Sequence, residues 1–324
     1  MPSSCPQEPL GVAVVGVGSA GRQHMEAIRA TPGLGIVAVV DADPAAAARA
    51  AAEGLPVHTL EDAVADDAVR LVAVCTPPGD RAAVVAAVLG AGRHLLVEKP
   101  PARGPAELEW ILRAAEAART GAAVMFQHRF VLPPALHEGA PERFAGAVGT
   151  LLVSRPRSRD HYDSAGWRST VDRALGGVTA HLGVHYVDLA CQLLGVPVAI
   201  RPMARTDAAP GIDVRLCGHV SFTSGAELAV IVTSRASARH EHLTVLGAAD
   251  RVELRGGVLE AEVDGRALAV PSRPAATLRA EVYGRVGESV RSGAPLGLAA
   301  LHRSRGVVDV LDGLLAPATA VASR

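Results

Sequence analysis

From Leu10 to Gln127, short apolar runs alternate with alanine-rich stretches. The runs Leu10–Gly16 (LGVAVVG), Gly35–Asp41 (GIVAVVD), Val69–Pro78 (VRLVAVCTPP), His94–Pro100 (HLLVEKP) and Gly121–Gln127 (GAAVMFQ) predict strands. Between them Ala20–Thr31, Pro44–Gly54, Gly79–Gly92 and Gly104–Thr120 predict helices, with Pro44 at a favourable first-turn position. Runs that are apolar throughout, instead of at every second position, belong to strands buried on both faces. Strict alternation with helices then predicts a doubly wound parallel sheet.

Beyond about residue 145 the pattern changes. Gly149–Arg159, Gly218–Ala236, Glu241–Val263 and Arg266–Val270 are rich in β-branched and apolar residues. Turn signals separate them at Thr223-Ser224-Gly225, Ala249-Asp250, Gly256-Gly257 and Asp264-Gly265, which predicts antiparallel strands. One helix is expected early, over Gly177–Gly195, and one at the end, over Leu296–Ala316. The expected organisation is a disordered lead-in over 1–9, an α/β domain over 10–128, and an α+β domain with an open antiparallel sheet over 129–324. The last helix is expected to pack back on the first domain.

Composition narrows the function. The 324 residues are 49% hydrophobic and 20% charged with a formal charge of -1, which gives no electrostatic case for nucleic acid or a membrane surface. Aromatics at 3% disfavour stacking platforms for single strands. No apolar run is long enough for a transmembrane helix, and MPSSCPQEPL lacks the basic and apolar regions of a signal peptide. Cys5, Cys75, Cys191 and Cys217 are far apart, so no disulfide framework or metal site is expected, and a reducing cytoplasm fits.

Two motifs carry chemistry. Gly16-x-Gly18-x-x-Gly21 follows a predicted strand and opens a predicted helix. The first glycine permits a tight turn, the second lets backbone approach a pyrophosphate, and the third lets helix and strand pack closely. The N–H groups of Ser19 and Ala20 at the helix start would face the phosphates. Asp41, about 20 residues on at the end of the second predicted strand, would accept from ribose hydroxyls and repel a 2′-phosphate, favouring NAD over NADP. Asp41 or Asp43 could instead simply cap the next helix. The second motif is Lys99, the only lysine among 32 Lys plus Arg, at the end of the fourth predicted strand. Ligands bind outside strand C-termini in open α/β sheets. A lysine, unlike an arginine, can shift its pKa enough to take part in proton transfer.

His181, His185 and Asp188 fall at i, i+4 and i+7 of the early helix in the second domain, sharing one face. That face is open to three readings: a zinc pair lacking a third ligand, a packed polar face, or an acid/base site.

Taken together, Gly16, Gly18 and Gly21, Cys75–Pro78 (CTPP), Glu98-Lys99-Pro100, Gln127–Phe130 (QHRF) and Gly176-Gly177 with Gly183–Leu189 (GVHYVDL) resemble the glucose–fructose oxidoreductase, inositol dehydrogenase and MocA (Gfo/Idh/MocA) family over nearly the whole chain. The resemblance implies a Rossmann domain, a sheet domain used for homo-dimers or homo-tetramers, and NAD(P)-dependent hydride transfer at a sugar, sugar-nucleotide or cyclitol hydroxyl or ketone. It also implies a cis Lys99–Pro100 bond. Lys99, His185 and His181 are the expected catalytic group, although the family usually has aspartate at His181. The cofactor set would include Ala42, Cys75, Thr76, Pro77, Glu98, Gln127, Trp167 and Arg168. Arg157, His161, Tyr162 and Arg168 would join Lys99, His181 and His185 at the substrate. An NAD-dependent glycosidase and a non-catalytic NAD-binding regulator remain as alternatives, kept open by His181.

Overall fold

The fully apolar runs become the strands β1 (Leu10–Val15), β2 (Leu34–Val40), β3 (Val69–Val74), β4 (His94–Val97) and β5 (Ala122–Val124). In the computed structural model, which describes residues 8–158 and 170–316, they form one parallel sheet in the order β2-β1-β3-β4-β5. Every β1 residue is buried, and Val12, Val14, Leu71, Val72, Leu95 and Leu96 are wholly so. The order reverses between β1 and β3, the type of switch point at whose strand C-termini ligands bind.

The helices begin where the local chemistry starts them. Asp43 accepts from the Ala45 N–H at 2.9 Å to open Pro44–Ala52, and Thr59 accepts from the Asp62 N–H at 3.1 Å to open Leu60–Ala65. Among the described residues, no helix is long and apolar enough to cross a membrane.

The chain divides into two compact units. One comprises residues 1–98, 109–127 and 274–301, and the other residues 99–108, 128–273 and 302–324. The Ala275–Ser292 helix, which the sequence pattern did not reveal, belongs to the first unit, whereas the terminal Arg305–Leu315 helix falls in the second. The longer helix was hidden because Gly284, Gly287 and several arginines interrupt its apolar stripe of Leu278, Val282, Tyr283, Val286 and Val290.

The second unit holds an eight-stranded sheet, ordered β13-β12-β11-β10-β6-β9-β8-β7. Its strands are β6 (Val148–Ser154), β7 (Pro197–Ala209), β8 (Ile212–Phe222), β9 (Glu227–Thr233), β10 (His240–Leu246), β11 (Arg251–Arg255), β12 (Val258–Val263) and β13 (Arg266–Val270). Alternate residues of β9 and β12 are buried, as a sheet with one core face requires. Three features depart from the sequence reading. β7 is a strand that the pattern did not show, since its edge position leaves most residues exposed or half-buried. β6 lies parallel to β9, because it is inserted between β9 and β10 instead of joining an antiparallel meander. The early helix also does not start as α-helix. Residues Thr179–Gly183 form a π-helical turn that runs into the α-helix Val184–Leu194. A Cβ on Gly183 would come within 2.9 Å of Val232 Cγ2, so glycine lets this turn sit close against β9.

Candidate active site

In the first unit the glycine turn has the geometry its sequence asks for. Gly16 has φ +90, and a Cβ there would press on the Cys75 and Thr76 backbone at 3.1 Å. A Cβ on Gly21 would collide with the Gly16 carbonyl oxygen at 1.9 Å. A Cβ on Gly18 would meet nothing within 4 Å, so backbone is open to a ligand there. The Ser19–Arg29 helix begins at Gly18 with no side-chain cap and no acidic residue in its first turn. Its leading N–H groups and positive dipole end therefore suit an anion.

Asp41 leaves helix capping to Asp43. Its Oδ2 accepts from the Val17 N–H at 2.7 Å and its Oδ1 from the Asp43 N–H at 2.9 Å. The carboxylate is thus fixed beside the glycine turn, and with Val17, Gly18, Ser19, Arg22, Arg49 and others it lines a cavity of about 320 Å³. Ala42 is exposed next to it.

Further along the strand ends, Arg81 ties two loops together. Its Nη1 donates to the Glu98 carbonyl at 2.6 Å, and its Nη2 and Nε donate to the Thr76 carbonyl at 2.7 and 3.2 Å. The Thr76 hydroxyl and Gln127 Oε1 are buried without a hydrogen-bond partner among the described residues. Buried polar atoms normally have partners, so two orphans here call for a polar ligand. An open glycine cradle, an uncapped helix start, an acceptor carboxylate and two orphaned polar atoms all fit a dinucleotide.

In the second unit, Lys99 Nζ donates to the His181 carbonyl at 3.0 Å. That carbonyl lies in the π-turn, where the regular ladder is altered, and such turns recur at functional sites. The His185 and His128 rings pack at 4.3 Å between centroids, and the Tyr186 ring is 5.7 Å from that of His128. His185 is 9% exposed, and the Lys99–Pro100 bond is cis. Lys99 thus reaches His181 through the His181 main chain, and His185 is close to His128, which the sequence carried within QHRF without a role of its own.

Asp188 does not join this group. It is wholly buried, and Arg129 holds both its oxygens, with Nη2–Oδ1 at 2.6 Å and Nε–Oδ2 at 2.8 Å. Ser304 Oγ accepts from Arg129 Nη2 at 3.0 Å. Burial raises the Asp188 carboxyl above its ordinary range, and Arg129 pulls it part of the way back. The shared helical face is therefore split, with Asp188 serving as a structural anchor. Asp213 is a second anchor. It accepts from the Gly177 N–H at 2.7 Å, and from the Thr179 N–H and hydroxyl at 3.0 and 2.7 Å, fixing the start of the π-turn. A Cβ on Gly177 would overlap the Asp213 carbonyl oxygen at 1.9 Å, which explains the second glycine of Gly176-Gly177. Sequence reasoning gave no role to Asp213, Arg81 and His128: Asp213 and His128 matter through partners distant in the chain, and Arg81 through main-chain carbonyls that no side-chain pattern marks.

Of the remaining sequence candidates, Pro77 lies in the loop between Thr76 and the Pro78–Asp80 turn. Arg157 is half-buried just past β6, its N–H donating to the Ser234 carbonyl at 3.2 Å. His161, Tyr162, Trp167 and Arg168 lie outside the described residues. Among the described residues, no three His, Cys, Asp or Glu side chains are grouped to hold a metal ion.

The profile of an oxidoreductase family with an NAD-binding Rossmann fold matches residues 10–128, and that of the GFO/IDH/MocA C-terminal domain matches residues 144–255. The chain belongs to the Gfo/Idh/MocA family. Its first unit accordingly carries an NAD-binding Rossmann fold. A relative in Amycolatopsis mediterranei, named as a UDP-kanosamine synthase oxidoreductase subunit, is 32% identical over 198 residues, covering 56% of this chain and 51% of its own. The chain spans about half the length of this and other curated relatives it matches. Among solved structures of the family, GenD2 from gentamicin A biosynthesis, in complex with NAD, is 27% identical with a TM-score of 0.76, covering 96% of this chain and 94% of its own. The WlbA dehydrogenase from Bordetella pertussis, in complex with NADH and UDP-GlcNAcA, shares the fold with a TM-score of 0.79 at 23% identity, covering 95% of both chains.

Proposed function

We propose that this protein is an NAD-dependent dehydrogenase or ketoreductase acting on a hydroxyl or ketone of a sugar, sugar nucleotide or cyclitol. The observation that carries this reading is Lys99, the only lysine, seated on the π-turn carbonyl of His181 in a chain with an NAD-binding Rossmann fold. GenD2, crystallised with NAD, and relatives named as inositol and glucoside dehydrogenases support it.

The glycine turn and the Ser19–Arg29 helix start would bind the pyrophosphate, and Asp41 the adenosine ribose. Glu98, Thr76 and Gln127 would hold the nicotinamide half. The bound cofactor supplies hydride acceptance and donation. His185 would take the hydroxyl proton, and Lys99 would hold the substrate oxygen and share that proton. His181, at the position where the family usually has aspartate, shapes this place through the carbonyl it offers to Lys99. On this reading residues 10–128 bind cofactor and residues 129–324 bind substrate and associate.

The test is a panel of sugars, cyclitols and nucleotide sugars with NAD, followed through the absorbance of reduced nicotinamide. Sustained NADH formation on one class is expected. Cleavage of an aryl glycoside without net NADH would replace this reading by the glycosidase one.

Association is proposed through the open sheet face. Val148 pairs with Leu246 and Leu152 with Ile231 across neighbouring strands, and these residues are 58%, 49%, 37% and 41% exposed. An apolar patch of this kind, central on a sheet, suits a self-complementary interface. Light scattering should give the mass of two or four chains for the wild type and one chain for Ile231→Glu. A wild type that stays a single chain at micromolar concentration would overturn the interface.

A further inference from the structure

The mechanism above leaves out one buried polar cluster. In the first unit, His24 on the Ser19–Arg29 helix is wholly buried. Its Nδ1 is 2.7 Å from the Tyr283 hydroxyl and its Nε2 is 2.9 Å from Glu98 Oε1. The His24 and Tyr283 rings meet edge to face, with centroids 5.7 Å apart at 87°. Tyr283 is also wholly buried, on the Ala275–Ser292 helix. The Glu98 side chain, just past β4, is 12% exposed, so it is the end of the chain that reaches the surface.

Burying a phenol, an imidazole and a carboxylate costs desolvation that apolar residues of similar size would avoid. A fully satisfied polar chain gives a fixed orientation in return. Here it links the helix after β1, the end of β4 and the returning helix, and ends on a carboxylate at the strand C-termini. Arg81 holds the main chain of the same residue through the Glu98 carbonyl.

We infer that His24 and Tyr283 are positioning residues that orient the Glu98 carboxylate toward the nicotinamide half of the dinucleotide. The inference rests on the cofactor reading of the site. The chain of bonds runs Tyr283 to His24 to Glu98, and neither ring touches the ligand itself. Burial works against a charge on His24. Cys75 and the Glu98 carboxylate favour one more strongly, and the imidazole pKa is pushed up to about 10. At neutral pH both ring nitrogens therefore carry protons, Nε2–H donating to Glu98 Oε1 and Nδ1–H to the Tyr283 hydroxyl oxygen. Because the folded-state pKa is raised, the stability this group contributes is complete below the ordinary histidine pKa of about 6.5 and is lost as pH rises through about 10. Denaturant midpoints of the wild type should thus fall between pH 7 and 10 with a slope that His24→Gln does not share.

The decisive experiment is calorimetric binding of NAD and of ADP, which lacks the nicotinamide riboside, to the full chain and to three variants. Tyr283→Phe keeps the ring and deletes only the hydroxyl. His24→Leu removes both bonds, and His24→Gln restores a donor near the Nε2 position. For His24→Leu the NAD dissociation constant should rise about tenfold, the scale of one lost hydrogen bond to a charged group, with ADP changed less than about twofold. Tyr283→Phe should show the same selectivity with a smaller rise, and His24→Gln should recover most of the loss. If His24→Leu and Tyr283→Phe melt lower yet bind NAD like the wild type, the cluster is structural only and the inference is overturned. It is equally overturned if NAD and ADP weaken together, which would place the defect in the glycine turn. A wild type that binds neither nucleotide would instead overturn the cofactor reading.

Discussion

Lys99→Arg is expected to fold, to bind NAD within a few-fold of the wild type, and to lose at least about 100-fold in kcat, the usual scale for removing a positioned proton-transfer group. Arginine keeps the positive charge and can still donate to the His181 carbonyl, so a purely electrostatic or structural lysine would tolerate it. Its guanidinium, however, does not release a proton in a protein, and its fork places charge differently from a compact ammonium. Steady-state kinetics on the substrate found in the panel, with NAD affinity measured in parallel, separates the cases. Normal turnover by Lys99→Arg would remove Lys99 from proton transfer. A large loss of NAD affinity with kcat preserved would recast it as a cofactor-holding residue.

The second large effect concerns stability. Asp188→Ala should lower unfolding free energy by about 3–5 kcal/mol, because it leaves the Arg129 guanidinium buried without its carboxylate. The double variant Arg129→Met with Asp188→Leu should recover most of that loss, since apolar residues of similar volume replace a buried pair at little net cost. Denaturant unfolding monitored in the second unit checks both. A shift under about 1 kcal/mol for Asp188→Ala would mean that water reaches the pair. A double variant as weak as the single would mean that the Ser304 and Gln192 hydrogen bonds around the pair carry the stability instead.

How legible these features were in the sequence follows from the range of the interactions involved. The parallel sheet was readable because a strand buried on both faces must be apolar at every position, as β1 is. The glycine turn was readable because its demands, a positive φ at Gly16 and no side chain at Gly21, concern residues a few positions apart. The role of Asp188 stayed open among three readings because helical periodicity shows which residues share a face and cannot show that Arg129, 59 positions away, takes one of them. The π-turn was invisible for a related reason: it is set by Asp213 reaching back to Gly177 and Thr179 from another strand. His24 sat in plain view beside the glycine motif, yet its role depends on Tyr283, 259 positions on, in a helix whose own pattern was weak.

The Ala275–Ser292 helix also constrains how the protein can be made. Tyr283 and Val282, wholly buried in the first unit, are supplied by chain that follows the entire second sheet. A ribosome must therefore translate past the second sheet, to about residue 290, before the nucleotide-binding unit can close its own interior. A fragment cut after residue 128 would expose an unfilled groove along its first helix, and grafting residues 274–301 onto it should be the minimum repair.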